Sequence, residues 1–202
     1  MPYASVPSRL KCFVSIPGQN AFVGLDILGG GFAGMTTAEC LEKELQKDPS
    51  VSITLVSETN ALLFTPMLAE VAGSSLEPSH IGTPLRTTLQ DTEFVRGQVT
   101  IVNSENKRVT LEAGMCGNES CRGELAYDHL VLALGVVSNY RGLNNVQKLP
   151  FDFKSLIDAI RIRNHEIEMF ERADPESDPE ARKPLLTFVI AGGGFAGVEL
   201  AG

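Results

Sequence analysis

Short unbroken apolar runs and longer helical stripes take turns along this chain. Phe22 to Leu28, Val51 to Val56 and Leu130 to Leu134 read as strands covered on both faces, the pattern of a parallel sheet. Between the first two, Phe32 to about Lys47 spaces Met35, Ala38, Leu41 and Leu45 at helical intervals, with Glu39, Glu42, Lys43 and Lys47 largely elsewhere. Asp48-Pro49 ends that helix. Thr83 as N-cap and Pro84 at the first helical position start a short helix through Leu89. Between residues 94 and 112 the period falls to two. Phe94 to Val102 and Val109 to Glu112 alternate across the polar turn Asn103 to Lys107, a hairpin signature, and a third short strand follows near Leu125-Ala126. From Lys154 to about Ala173 Leu156, Ile160, Ile167 and Phe170 share one helical stripe. Residues 1–20 show no period, and residues 174–184 read as a charged, proline-bearing linker.

Asp26 interrupts the first strand. An unpaired carboxylate is costly in a strand buried on both faces. Either it points along the strand edge toward solvent, or the residues ahead of Ile27 are not authentic.

The first strand runs into Gly29-Gly30-Gly31-Phe32-Ala33-Gly34, and the same hexapeptide returns at Gly192 to Gly197 behind Leu186 to Ala191. This is G-x-G-x-x-G after a strand and before a helix. Gly29 turns the chain out of the strand, Gly31 lets a pyrophosphate approach the backbone, and Gly34 brings the helix against the strand. The helix start then offers free N–H groups and a positive dipole end to phosphates. One such match is weak; two in matching contexts read as two dinucleotide sites, one for each half of a flavin–nicotinamide pair. Glu58, just past the second strand, stands where an acid commonly accepts hydrogen bonds from ribose hydroxyls; the alternative is a solvated loop charge. Ala61 to Leu68, apolar but broken by Pro66, is either core packing or the wall of a pocket for a flat ring.

Composition narrows the partners. The 202 residues are 43% apolar and 21% charged, ordinary for a chain with a real core. A net charge of −8 argues against a nucleic-acid footprint. No apolar run approaches the roughly 20 residues needed to span a bilayer. The first 25 residues lack Asp and Glu and carry Arg9 and Lys11, which leaves a mitochondrial transit peptide open beside a loose extension. His80, His129 and His165 are scattered, so no catalytic triad or metal motif is visible and neither catalytic side chains nor metal ligands are assigned. Four cysteines of mixed spacing suit a reducing compartment. Cys40 is expected partly buried in the first helix, and Cys12 lies in the extension.

Taken together, ILGGGFAG, LLFTPML, EVAGSSLEPSHIGTPLR, YDHLVLALGVVSNYRG, KSLIDAIRIRN and LLTFVIAGGGFAGVELAG resemble the two-dinucleotide flavoprotein reductases, and within them the type II NADH dehydrogenases. The resemblance covers Ile27 to Gly202. It implies FAD on the first motif, NADH on the second, and a quinone as electron acceptor. Gly29, Gly31, Phe32, Ala33 and Gly34 would cradle the FAD pyrophosphate. Pro66 would lie near the flavin ring, and Ala133 and Gly135 would close over the FAD. Gly192, Gly194, Gly197 and Glu199 would hold the nicotinamide nucleotide. Two departures stand out. The family's acid directly after the second strand is here Ser57, with Glu58 one place on, and Leu134 replaces a frequent Thr.

The implied fold is an α/β, Rossmann-like FAD domain with an antiparallel insert, followed by the start of a second such domain for NADH. Its expected divisions are an extension over 1–20, the FAD domain over 21–150, a helix and linker over 151–184, and the start of the NADH domain over 185–202. Gly202 falls early in the second motif's helix, so the chain reads as a fragment, inactive alone. Homodimerisation and peripheral attachment to a membrane through the family's later part are left open, as is a cytoplasmic site.

Two competitors remain. Cys116 and Cys121 have the C-x4-C spacing of disulfide reductases related to glutathione reductase, but they fall in the insert, where they should lie far from the flavin. The other competitor is a non-catalytic dinucleotide-binding fragment.

Overall fold

A computed structural model describes residues 23–45, 48–112, 122–140 and 151–202. The centre is a four-stranded parallel sheet. Val23–Leu28 (β1) pairs with Val51–Ser57 (β2) on one side, and β2 pairs in turn with the later strand Glu93–Arg96. On its other side β1 pairs with His129–Leu132. Phe32–Leu45 (α1) makes the crossover from β1 to β2.

Neighbouring residues of β1 point to opposite faces of the sheet, and each face has its own cover. Ile27 packs with Met35 and Ala38 of α1, Ile53 and Leu55 of β2, and Leu85, Leu89 and Phe94. Leu28 and Val56 face the other way, onto Val109 and Leu111. Cover on both faces is why the strands read as unbroken apolar runs.

Between β2 and the meander the chain makes Ala61–Leu63 (β3), a 3₁₀ turn at Thr65–Met67, Leu68–Ala72 (α2), Gly82–Pro84 (β4) and Leu85–Thr88 (α3). The expected short helix thus forms as α3, starting one residue late. Thr83 and Pro84 pair with Leu62 and Ala61 in an antiparallel ribbon, and Pro84 is the N-cap rather than the first helical residue. Strand pairing keeps Thr83 out of the capping position.

The period-two run 94–102 proves to be two strands in two sheets. Glu93–Arg96 (β5) edges the parallel sheet, and Gln98–Asn103 (β6) starts a three-stranded meander with Arg108–Glu112 (β7) and Arg122–Ala126 (β8). Gly97 turns the corner, its N–H donating to the Ser57 carbonyl at 3.0 Å. Periodicity alone cannot reveal such a break, because both halves keep the same alternation.

His129–Leu132 (β9) is parallel to β1 as expected but less covered. Leu132 and Leu134 are both 63% exposed, since β9 is the edge of the sheet among the described residues. Leu156–Ala173 (α4) starts with a capping box in which Ser155 and Asp158 satisfy each other's N–H groups. Leu156, Ala159 and Ile160 pack on Leu68, Val71 and Ala72 of α2, whereas Ile167 and Phe170 are exposed. The expected linker is partly a helix, Pro179–Leu185 (α5), with Asp178 as N-cap and Pro179 at its first turn. Phe195–Ala201 (α6) follows the second glycine motif, but no strand forms over Leu186 to Ala191. That apolar segment has no described neighbour to pair with, so propensity alone does not make it a strand.

Asp26 is buried, 4% exposed, and its Oδ2 has no hydrogen-bond partner. It does not reach solvent at a strand edge. Burial raises its pKa from the ordinary 3.8 to about 6; the Thr54 hydroxyl works against that and the Glu93 carboxylate adds to it. A carboxyl whose pKa rises on folding holds its proton more tightly in the folded chain. Its contribution is therefore present at acid pH and lost as pH climbs through about 6. Asp26→Leu is expected to raise stability at pH 7.5 by about 2 kcal/mol, because it removes a buried carboxylate whose Oδ2 has no partner. The same change should flatten the pH dependence between 4 and 6.5 in chemical-denaturation curves. A variant no more stable than the parent at pH 7.5 would refute this.

Candidate functional site

The strand order places β2 and β5 on one side of β1 and β9 on the other. The chain thus reverses its winding direction between β1 and β9, and the crevice outside the carboxyl ends of such strands is where open α/β sheets bind ligands. The first glycine motif fills this point. Gly29 has φ +114, and a Cβ there would strike the Ala133 carbonyl, which continues from β9. Ala133 N–H also donates to the Leu28 carbonyl at 2.8 Å. A Cβ on Gly34 would run into the Gly29 carbonyl. Both close approaches demand glycine. At Gly31, by contrast, no atom beyond the adjoining residues lies within 4 Å of where a Cβ would stand. Gly31, Phe32 and Ala33 are exposed at the start of α1, where the first N–H groups have no helical partner.

Gly30, outside the residues named from the sequence, is constrained too, by side chains rather than backbone. Its Cβ would lie 2.7 Å from the Ser57 hydroxyl and 2.8 Å from the Leu85 Cδ1. The signal was the third consecutive glycine in both copies of the hexapeptide. Ser57 is thus occupied beneath the glycine loop, with its hydroxyl near Thr59 N at 3.3 Å. Glu58, one residue on, is exposed at the carboxyl end of β2, and its carbonyl accepts from Arg96 Nε at 3.0 Å. Of the two positions, only Glu58 carries an acid, and it is exposed.

The Ala61 to Leu68 stretch is not core throughout. Leu68 is buried, but Phe64 and Met67 are 45% and 41% exposed and Pro66 is exposed in the 3₁₀ turn. Phe64 reaches the glycine motif itself: its ring meets Phe32 edge-on, with centroids 5.7 Å apart. Ala133 is half-buried against β1, and Gly135, with φ +72, is exposed with nothing within 4 Å of its Cβ position.

The second motif repeats the first in backbone form. Gly192 has φ +124, and a Cβ on Gly197 would strike the Gly192 carbonyl. Gly194 stands open as Gly31 does, and Glu199 is exposed on α6. The motif is held to the rest of the fold through Leu200, which packs on the α2–α4 cluster.

A family model described as pyridine nucleotide-disulphide oxidoreductase matches residues 25–202. The chain belongs to this family. Over 182 residues it is 32% identical to the type II NADH:quinone oxidoreductase of Mycobacterium tuberculosis, covering 87% of this chain and 36% of that protein. It is 29% identical to the mitochondrial external alternative NADH-ubiquinone oxidoreductase of Yarrowia lipolytica, covering 92% of this chain and 32% of that one. Among solved structures, NDH2 from Plasmodium falciparum in complex with RYL-552 superposes with a TM-score of 0.76 at 26% identity, over 88% of this chain and 35% of that one. The chain spans about a third of the length of these relatives. The expected fold class is therefore correct.

A disulphide oxidoreductase family directs attention to the cysteines. Cys116 and Cys121 lie outside the described residues, as does Cys12. Their flanking strands are described: Glu112 pairs with Arg122. Cys40 is exposed, not partly buried, because it sits on the outer face of α1. There Phe32, Ala33, Thr36, Thr37, Cys40 and Leu41 line an open groove of about 570 Å³. Among the described residues no group of three or more His, Cys, Asp or Glu is placed to hold a metal.

Proposed function

We propose that the chain binds FAD across its first glycine motif and is the flavin-binding part of an NADH dehydrogenase that passes electrons to a quinone. The observation that carries the reading is the open cradle at Gly31, set at the switch point of the sheet between two glycines that can be nothing else. In this reading Gly29, Gly31, Phe32, Ala33 and Gly34 hold the diphosphate on backbone N–H groups and the dipole of α1. Glu58 accepts from the ribose hydroxyls, Pro66 lies near the flavin ring, and Ala133 and Gly135 close over the cofactor. Gly192, Gly194, Gly197 and Glu199 form the matching cradle for NADH. When bound, FAD supplies the chemistry of accepting a hydride and releasing two electrons. The chain's own residues bind and orient it.

Quinones are lipid-soluble, so the reading includes work at a membrane surface. No described helix is long and apolar enough to cross a membrane, and attachment would be peripheral. The names of the relatives, NADH:quinone and NADH-ubiquinone oxidoreductases, support this choice of substrates.

The test is FAD titration into the 202-residue chain, followed by flavin fluorescence. Saturable binding of one FAD per chain is expected. The chain alone is not expected to oxidise NADH faster than free flavin does. Leu186 to Ala191 forms no strand, and a nicotinamide crevice needs paired strands behind its glycine loop. Turnover above the free-flavin background would contradict this.

The family's description as pyridine nucleotide-disulphide oxidoreductases gives a disulfide-reductase reading one specific support, and it is decided separately. With Cys116 and Cys121 both changed to Ser, FAD affinity is expected within about twofold of the parent. The reduced parent should show no long-wavelength thiolate–flavin absorbance. Appearance of that band, and its loss in the double Ser variant, would establish the alternative.

A further inference from the structure

The Phe32–Phe64 contact belongs to none of the three hydrophobic clusters of the fold. Both rings are nearly half exposed, 44% and 45%, and meet at an interplanar angle of 75°. Their backbones are fixed independently. Phe64 N–H donates to the Ile81 carbonyl at 2.7 Å and its carbonyl accepts from Met67 N–H at 3.1 Å, while Phe32 opens α1. Phe32 directly follows Gly31, whose Cβ position has nothing within 4 Å apart from the adjoining residues. A phenylalanine at a helix start has more than one staggered χ1 position available. An apolar ring beside an open cradle lowers its exposure by turning over it.

We propose that Phe64 is a positioning residue for the dinucleotide: its ring holds Phe32 edge-on and keeps that side chain clear of the cradle above Gly31. The inference rests on the FAD assignment of the first motif. Without Phe64, the Phe32 ring settles over the opening and competes with the diphosphate for the N–H groups of Phe32 and Ala33. The contact acts on affinity through the free state, which it pre-organises.

Phe64→Ala is expected to weaken FAD binding by about tenfold, in line with the worth of an aromatic pair. Phe64→Tyr, which keeps the ring, should bind as the parent does. The discriminating variant is Phe32→Ala combined with Phe64→Ala. Phe32 serves the cradle through its backbone N–H, which alanine keeps, so with the ring gone the double variant should bind FAD several-fold more tightly than Phe64→Ala alone. A general loss of structure would not be repaired by a second truncation. If Phe64→Ala melts below the assay temperature, Phe64→Leu replaces it, with the same expected loss and the same rescue. Unchanged affinity in Phe64→Ala, or a double variant as weak as the single, overturns the proposal. Gly31→Val separates this failure from that of the site: if Gly31→Val binds FAD normally, the assignment of the motif is wrong and the role of Phe64 falls with it.

Discussion

Gly31→Val is expected to abolish FAD binding while leaving the fold as stable as the parent. Apart from the adjoining residues, nothing lies within 4 Å of a Cβ on Gly31, and it is not among the glycines with positive φ. A side chain there has open space, and surface changes of this kind stay within about 0.5 kcal/mol. The same side chain would occupy the space a diphosphate needs to reach the N–H groups of Phe32 and Ala33. Losing two charge-assisted hydrogen bonds costs enough to weaken binding by about 100-fold or more. Thermal melts and FAD titration of one preparation separate the two quantities. An unaffected affinity would show that the cofactor does not pass over Gly31.

Gly34→Ala is expected to do the opposite and destabilise the fold. The added carbon meets backbone, the Gly29 carbonyl, and stands 3.4 Å from Ile27 Cγ2. A flexible side chain could yield, but a carbonyl in the β1–α1 turn cannot move without opening that turn. Ile27 is fully buried and α1 covers it through Met35 and Ala38, so the cost spreads into the main core. Overpacking against backbone is set at about 3 kcal/mol or more, a large part of the total stability of an ordinary domain. The apparent Tm should fall by about 10 °C. Gly197→Ala reproduces the geometry in the second motif, yet Leu186 to Ala191 is not in a sheet and α6 touches the fold mainly through Leu200. Its effect should be smaller. Equal losses at the two positions would mean that the second motif is as deeply embedded as the first.

Much of the site could be read in the sequence because glycine has few reasons to recur at fixed spacing. The three tasks given to Gly29, Gly31 and Gly34 match a positive φ, an open cradle and a backbone contact. Strands β1 and β2 were legible for a similar reason: cover on both faces leaves unbroken apolar runs. What failed were local signals overruled by distant ones. Thr83-Pro84 marks the helix start one residue early, because β3 pairs with both. The alternation from Phe94 to Val102 hid a change of sheet at Gly97, since the period is the same on either side. Leu186 to Ala191 had every mark of a strand except a neighbour. Phe64 was invisible as a partner of Phe32 because a ring contact across 32 residues leaves no spacing rule. The burial of Asp26 was flagged as a cost, and its unpartnered Oδ2 shows where that cost falls.

The central claim is that the open cradle at the β1–α1 turn is the flavin site. Backbone amide shifts in a two-dimensional ¹H–¹⁵N spectrum, recorded while FAD is added to the chain, test it most directly. The account predicts the largest shifts at Gly31, Phe32 and Ala33, with smaller ones at Glu58 and at Ala133 to Gly135, all saturating together. Shifts confined to Gly192 to Gly197, or scattered without saturation, would contradict it.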